Sequence, residues 1–365
     1  MTVAVGMSGG VDSTVTAWLL TRQGHEVVGL TMQIWDGSVA LPDEGRSGCY
    51  GPGEARDLAF ARDAAQRLGI RHVIVPLAEA YNRCVLDPFR DAYRAGRTPN
   101  PCVVCNQRMK FGLLLEEARR QGVAFDRFAT GHYARTAFDA ALGVHRLLRG
   151  VDAAKDQSYF LARLTQEQLR QVWFPLGGMT KDEVVRLAQE AGFSDVAARE
   201  ESQDFIESES YAPLFDAADN RPGPIIDTAG RELGRHRGIV HYTVGQRQGV
   251  GVATGGRLYV RELRPETNTV VMGTRAEVLR PGCRVEDVNW IRGNAPPVGS
   301  TCRVLLRYHH PGVDAQLQPL ANDAWQVSFA EPQFAVAPGQ AAVFYDGDEV
   351  LGGGWIAGNH DTERI

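Results

Sequence analysis

Two thiols three residues apart, Cys102 and Cys105, stand in the stretch "TPNPCVVCNQRMKFG" behind Pro99 and Pro101 and ahead of Arg108 and Lys110. A thiolate is a nucleophile and a sulfur carrier, and two thiols within reach can exchange sulfur and close a disulfide. Cys105 reads as the residue just before a helix that begins near Asn106. There the helix dipole, with Arg108 and Lys110, is expected to lower its pKa and populate the thiolate. Taken alone, Cys-x-x-Cys also fits a redox pair or half of a zinc site, but no second such pair or nearby histidine completes a zinc shell.

A second chemical signal is "GMSGGVDST", residues 6–14, at the junction of the first strand and the first helix. Adjacent Gly9 and Gly10 let the backbone turn with its amides inward, and the positive end of the following helix adds to them, so the loop is built to hold phosphate. Ser8 and Ser13 offer hydroxyls, and Asp12 is placed to hold a Mg²⁺ that spans phosphates. No Gly-Lys-Ser/Thr follows, so the Walker-type loop and its lysine are absent. In its strand–turn–helix setting, "SGGVDS" resembles the pyrophosphatase-type ATP loop of enzymes that adenylate a carbonyl oxygen. Holding the β and γ phosphates together as the leaving group leaves the α phosphorus open to in-line attack.

The elements that must position these groups follow from periodicity. "TVAVGM", "EVVGLTMQIW" and "RHVIVPL" read as buried parallel strands, and "VDSTVTAWLLTRQG" and "EARDLAFARDAAQRLG" as the helices between them. A further strand is predicted near "FDRFATGHYA", and capping boxes open two later helices, at Thr165 with Gln168 and Thr180 with Glu183. After about residue 200 the texture turns to Gly and Pro punctuation with short β-branched runs, and from Pro281 it reads as a small antiparallel barrel. The fold class is therefore α/β: a doubly wound parallel-sheet nucleotide-binding domain over 1–202, a small central domain over 203–280 and a C-terminal antiparallel β-barrel over 281–365.

Composition bounds the rest. At 365 residues, with 44% hydrophobic and 23% charged residues, the chain has enough apolar side chains for a sizeable core. A net charge of −5 excludes a uniformly basic nucleic-acid coat, so any RNA surface must be local. No run suits a membrane span or a leader, and six cysteines with one close pair do not make a disulfide framework. A cytoplasmic protein with no membrane partner is expected.

The motifs "GRTPNPCVVCN", "ATGHYAR", "LLRGVDAAKDQSYFL", "HYTVGQRQGVGV", "LRYHH" and "PGQAAVFYDGDEVLGGG" occur in this order. With the ATP loop, they resemble the bacterial tRNA-specific 2-thiouridylases over nearly the whole chain. The resemblance implies an ATP-dependent transferase that adenylates the 2-oxygen of a wobble uridine in tRNA and replaces it with sulfur from a protein persulfide donor. It implies ATP contacts at Gly6, Met7, Ser8, Gly9, Gly10, Val11, Asp12, Ser13, Met32 and Gly131, with Mg²⁺ on Asp12. Contacts to tRNA are implied at Asn100, Pro101, Cys102, His132, Lys155, Asp156, Gln157, Arg307, Tyr308 and Gln340. Cys105 aligns with the family's nucleophile, and Cys102 is expected to be its partner.

The chain departs from the family in the segment "REESQDFIESES", residues 199–210, which has no cysteine where members usually carry a second catalytic one. Many members have Asp where this chain has Cys102, so the two changes are read as linked. A labile [4Fe–4S] cluster on Cys102, Cys105 and Asp204 is the less favoured account of the sulfur step, and Cys49 in "SGCYG" is a remote candidate for either role. Two other classes keep part of the pattern. One is an ATP-pyrophosphatase ligase acting on a small molecule, and the other a degenerate tRNA-binding protein that has lost sulfur transfer.

Overall fold

The computed structural model of the chain describes residues 1–41, 48–199, 204–252 and 256–358. Part of the cysteine-free stretch, 200–203, lies outside them. The first nine strands are β1 (Thr2–Gly6), β2 (Glu26–Gln33), β3 (Gly48–Tyr50), β4 (Arg71–Pro76), β5 (Arg127–Ala129), β6 (Ala134–Asp139), β7 (Val144–Arg149), β8 (Val172–Trp173) and β9 (Asp204–Ile206). Five of them form an all-parallel sheet in the order β4-β2-β1-β5-β8. The continuous apolar run of β1 is explained by burial on both faces: Val3 and Val5 enter one core cluster and Ala4 another.

Helix Val11–Arg22 follows β1 and helix Glu54–Leu68 precedes β4, as predicted. The second ends on Gly69 at φ 67, a left-handed cap that glycine adopts without a Cβ clash. The chain leaves β1 toward β2 on one side, whereas β5 lies on the other, so the strand order reverses between β1 and β5. In parallel α/β sheets, ligands bind outside the carboxyl ends of the strands at such a switch point. The ATP-like loop leaves β1 and the Thr130–Tyr133 loop leaves β5 at that place.

Strands β10 (Gly223–Ile226), β11 (Glu232–His236), β12 (Tyr259–Arg264) and β13 (Thr269–Gly273) make a second, four-stranded sheet. Strands β14 (Leu279–Trp290), β15 (Thr301–Leu305), β16 (Val313–Pro319), β17 (Trp325–Phe334), β18 (Ala341–Asp346) and β19 (Glu349–Ile356) form an antiparallel barrel closed by the β14–β19 pairing. Its interior is filled by residues such as Val285, Val304, Leu317, Val327 and Phe344.

Two features differ from the sequence reading. The hairpin β6–β7 does not extend the parallel sheet; it pairs antiparallel with β19, Leu148 opposite Glu349 and Leu147 opposite Val350. Leu147 is fully buried, and Glu349, itself buried, ties Arg146 of the hairpin to Arg292 of the barrel. Burial opposes the charge of Glu349, yet Arg292 and Arg146 hold its carboxyl below the usual carboxylate range. The second difference is the helix after the prolines. It starts at Pro101, not near Asn106: Asn100 is the N-cap and its side chain accepts from the Val103 amide at 3.2 Å. Pro at the first helical position needs no amide partner, which makes Asn-Pro a start signal. The helix continues without a break through Cys105–Leu113, wound as a π-helix, to Leu114–Arg120.

Candidate active site

At the switch point, Gly9 takes φ +80 and packs on helix Glu54–Leu68, where a Cβ would lie 2.7 Å from the Phe60 Cβ. Only glycine allows both the turn and the approach. Ser13 braces the loop from within: its Oγ accepts from the Ser8 amide at 3.2 Å and donates to the Gly10 carbonyl at 3.0 Å. Met7 and Val11 are buried under the loop, Thr31 donates to the Met7 carbonyl at 2.7 Å, and Met32 lies half-buried near the end of β2. Gly131 is held against the loop from the other side, since a Cβ there would sit 2.8 Å from the backbone carbon of Asp12.

Asp12 is where the sequence reading falls short. Its Oδ1 accepts from the Tyr133 hydroxyl at 2.9 Å and from Lys181 Nζ at 2.7 Å. Lys181 is the first residue of helix Lys181–Glu190, behind the predicted capping box at Thr180. A cation therefore does stand at the Gly9–Gly10 loop, supplied from a distant helix and not from a Gly-Lys-Ser/Thr segment. The capping box fixed the helix start in the sequence, but nothing local said that its first side chain reaches back to Asp12.

The thiols line a recess. Cys49 is solvent-accessible and Cys102 and Cys105 are partly so, while the protein packed around them pushes all three thiols up. Burial is the main cause in each case; Cys102 rises to about 12 and Cys105 to about 11, with Lys110 the chief opposing influence on Cys105. The expectation of a lowered Cys105 pKa is thus corrected: the residue sits one turn inside the helix rather than at its start, and desolvation outweighs the dipole and Lys110. Lys110 does act on the thiol as the sequence reading has it, and on more than one. Its charge acts on Cys105, Cys49 and Cys102. In an α-helix a residue five positions on points about 140° away, whereas π winding pairs i with i+5 and brings Lys110 onto the face of Cys105.

Cys49 reaches this recess through β3, which pairs parallel with β9, Gly48 opposite Asp204 and Tyr50 opposite Ile206. Glycines make the contact possible. A Cβ on Gly48 would meet the Ile206 backbone at 2.6 Å and one on Gly51 the Glu207 carboxylate at 2.6 Å, while the Gly53 amide donates to Glu207 at 2.7 Å. The charge of Asp204 acts on both Cys49 and Cys102.

The recess adjoins the ATP-like loop. Phe111, next to Lys110, lies 5.8 Å from the His132 ring, and His132 follows Gly131. His132 accepts or donates at 2.7 Å with Thr130 Oγ1 and packs on Phe174, and burial followed by Lys110 holds it well below the usual imidazole range, so it is neutral. The other candidate residues spread outward. Asp156 is buried, bonded to Arg149, Gly150 and Ser158, and Gln157 accepts from the Tyr133 amide at 3.1 Å. Lys155, beside them, is partly exposed. Arg307 is exposed, Tyr308 packs on Phe160 with ring centroids 4.4 Å apart, and Gln340 donates to the carbonyls of Thr98 and Pro99 at 3.1 and 3.2 Å. Through Gln340 the barrel props the loop that leads into Asn100, Pro101 and the thiols.

Donor chemistry separates two groups. A Mg²⁺ arriving on ATP takes one or two protein carboxylates and fills its shell from phosphates and water; Asp12 fits as that carboxylate. An iron–sulfur cluster needs several donors converging on one space. Among the described residues no three His, Cys, Asp or Glu side chains do so, and Cys102, Cys105 and Asp204 do not fit one as placed.

The raised thiols carry a direct prediction. Alkylation of Cys105 by iodoacetamide in the free protein is expected to rise about tenfold per pH unit between about pH 7 and pH 10. A plateau near neutrality, read by peptide mass spectrometry, would show an activated thiolate instead.

Three family models match the chain in succession: a tRNA methyl transferase HUP domain over residues 1–207, a tRNA methyl transferase PRC-barrel domain over 214–274 and an aminomethyltransferase beta-barrel domain over 280–356. Curated relatives match over nearly their whole length. A protein of Geobacter metallireducens is 47% identical over 97% of this chain and 96% of its own. One of Carboxydothermus hydrogenoformans is 43% identical over 97% of both, and one of Magnetococcus marinus 45% identical over 97% and 98%. Each of the three is a tRNA-specific 2-thiouridylase MnmA.

Proposed function

The chain belongs to the tRNA-specific 2-thiouridylases, the tRNA sulfurtransferases named MnmA, and from that premise we propose a two-stage reaction: ATP adenylates the 2-oxygen of the wobble uridine, and Cys105 then delivers sulfur to C2. The observation that supports this best is the adjacency of the two chemistries. Lys110 acts on Cys105 on one side and on His132 on the other, and His132 is joined through Gly131 to Asp12. In this reading the base enters between the loop that carries Asp12 and the thiol.

In the first stage the amides of Gly9 and Gly10 and the start of helix Val11–Arg22 hold the β and γ phosphates, with Lys181 and Asp12 beside them. Mg²⁺ on Asp12 would supply charge neutralisation of the phosphates. A carbonyl oxygen is a poor leaving group, and adenylation lets it depart as AMP. In the second stage Cys105, loaded with sulfane sulfur by a persulfide donor protein, attacks C2 through its outer sulfur. Lys110 stabilises the anionic sulfur at the moment of attack, which is what a recess with raised thiol pKa values requires. Mass spectrometry of nucleosides after incubation with tRNA, ATP and a persulfide source tests the reading. Appearance of 2-thiouridine is expected, and ATP turnover without RNA and without thiolation would favour a small-molecule ligase.

For tRNA we propose the face that runs from the Asn100–Pro101 loop past Lys155 to Arg307 and Tyr308 of the barrel. Arg307→Ala and Lys155→Ala should each weaken tRNA binding and reduce the slope of log affinity against log salt by about one. Binding that ignores both salt and these substitutions would place the RNA elsewhere.

A further inference from the structure

We propose that Arg199 is a positioning residue for ATP: it holds the peptide between Gly9 and Gly10 in the one orientation that aims the Gly10 amide at phosphate. The proposal rests on the reading of that loop as the phosphate site and names what fixes its backbone.

Arg199 lies at the start of the cysteine-free segment, far from the loop in sequence and in contact with it in space. Its Nη1 donates to the Gly9 carbonyl at 3.1 Å, its Nη2 donates to Asp195 at 3.1 Å, and its guanidinium lies 3.8 Å from the centre of the Phe60 ring. The Gly9 carbonyl has no other donor among the described residues. The guanidinium is itself braced. Asp195 also accepts from Arg67 Nη1 at 3.1 Å, and Arg67 donates to the Gly192 carbonyl at 2.6 Å and covers the Phe193 ring at 4.2 Å. Phe60 and Arg67 are two turns apart on one face of helix Glu54–Leu68, the helix on which Gly9 packs. A planar fork that stacks on a ring and bonds two acceptors is a task for arginine and not for lysine.

This peptide needs an outside hold. Ser13 Oγ and Thr14 Oγ1 donate to the Gly10 carbonyl at 3.0 and 2.9 Å and fix the peptide that follows. The Gly9–Gly10 peptide has inside the loop only the contact of its amide with Ser8 Oγ, at 3.5 Å too long to hold it. Glycine enters positive and negative φ with similar ease, so the pair that permits the turn also lets the peptide between them turn over. In a trans peptide the carbonyl and the amide point opposite ways. With the carbonyl drawn outward to Arg199, the Gly10 amide faces Ser8 and the side assigned to phosphate. Turned over, the loop would present a carbonyl oxygen to an anion.

Gly10 supplies the means of testing this. It has φ −85 and ψ 169, and a Cβ there would meet only Ser8 Oγ, at an ordinary 3.5 Å. Turning the peptide over carries φ of Gly10 to the positive side, so alanine fits the observed orientation and opposes the other.

Two measurements on the full chain decide. In steady-state pyrophosphate release with tRNA and Mg-ATP, Arg199→Gln should raise KM for ATP about 10- to 150-fold, the worth of one hydrogen bond to a charged group, and leave KM for tRNA unchanged. In Gly10→Ala protein the same Arg199→Gln step should cost less than about threefold. An equal loss in both backgrounds would make Arg199 a general support of the fold and overturns the proposal, as does an unchanged KM for ATP. The second measurement needs neither ATP nor activity. In protein carrying nitrogen-labelled glycine, the Gly10 amide resonance, assigned by its absence in Gly10→Ala, should be single in wild type and doubled or broadened in Arg199→Gln. A single resonance at the wild-type position in both overturns the proposal. Wild type that binds no ATP overturns the phosphate reading, and a Gly10 resonance that doubles in Arg199→Gln leaves the hold on the peptide standing.

Discussion

Cys105→Ser is expected to abolish 2-thiouridine formation while pyrophosphate is still released once per bound tRNA. The two stages use different groups: adenylation draws on the loop around Asp12, and sulfur delivery on the recess around Lys110. A serine oxygen fills nearly the same space but cannot carry sulfane sulfur, so the adenylated base has no nucleophile except water. AMP release should then fall to the rate of hydrolysis. The fold should survive, because one hydroxyl in a partly accessible recess costs about 1–3 kcal/mol at most if left without a partner. A rapid-quench assay separates pyrophosphate from AMP, and full 2-thiouridine yield in this variant would show that sulfur does not pass through Cys105. Lys110→Gln should keep the thiol and slow its attack by about 10²-fold, the scale of one lost charge-stabilising group in a shielded site.

What was legible in the sequence was local. Gly9-Gly10 at a strand–helix junction announces a tight turn at the sheet's switch point because the backbone itself makes it, and the buried strands announce a parallel sheet by their unbroken apolar runs. Capping boxes at Thr165 and Thr180 place their helices for the same reason: donor and acceptor are three residues apart. The missed features are all tertiary or depend on unusual winding. Lys181 reaches Asp12 across 169 residues, and Cys49 enters the recess only because three glycines let β3 pack on β9. The influence of Lys110 on Cys105 was expected from their nearness in the chain, but not the π winding that turns the lysine onto that face, since at 3.6 residues per turn it would point away. The hairpin β6–β7 pairs with β19, which comes about 200 residues later in the chain, beyond any periodicity argument. The Cys105 pKa went wrong in sign because charge is visible in a sequence and desolvation is not.

Asp12→Ala should lower tRNA-dependent pyrophosphate release by about 10²–10³-fold, the range for removing a group aimed at charge that develops in a transition state. The carboxylate has three partners to lose. It is the one proposed to meet Mg²⁺, it positions Lys181 Nζ at 2.7 Å, and it accepts the Tyr133 hydroxyl that joins the two loops flanking the switch point. Alanine removes the carboxylate partner of Lys181 Nζ and loosens the Thr130–Tyr133 loop, of which Gly131 packs on Asp12. Ser13→Ala makes the informative contrast, since its Oγ braces the loop through neutral hydrogen bonds worth about 0.5–1.5 kcal/mol each. That variant should retain measurable adenylation, slower by about 2- to 13-fold if one such bond is lost. Lys181→Ala should resemble Asp12→Ala more than Ser13→Ala, because both remove charge from the same place, and the double variant should cost less than the sum of the two. Additive losses would mean that Asp12 and Lys181 act on separate parts of the nucleotide, and unchanged pyrophosphate release in Asp12→Ala would remove the loop from the reaction.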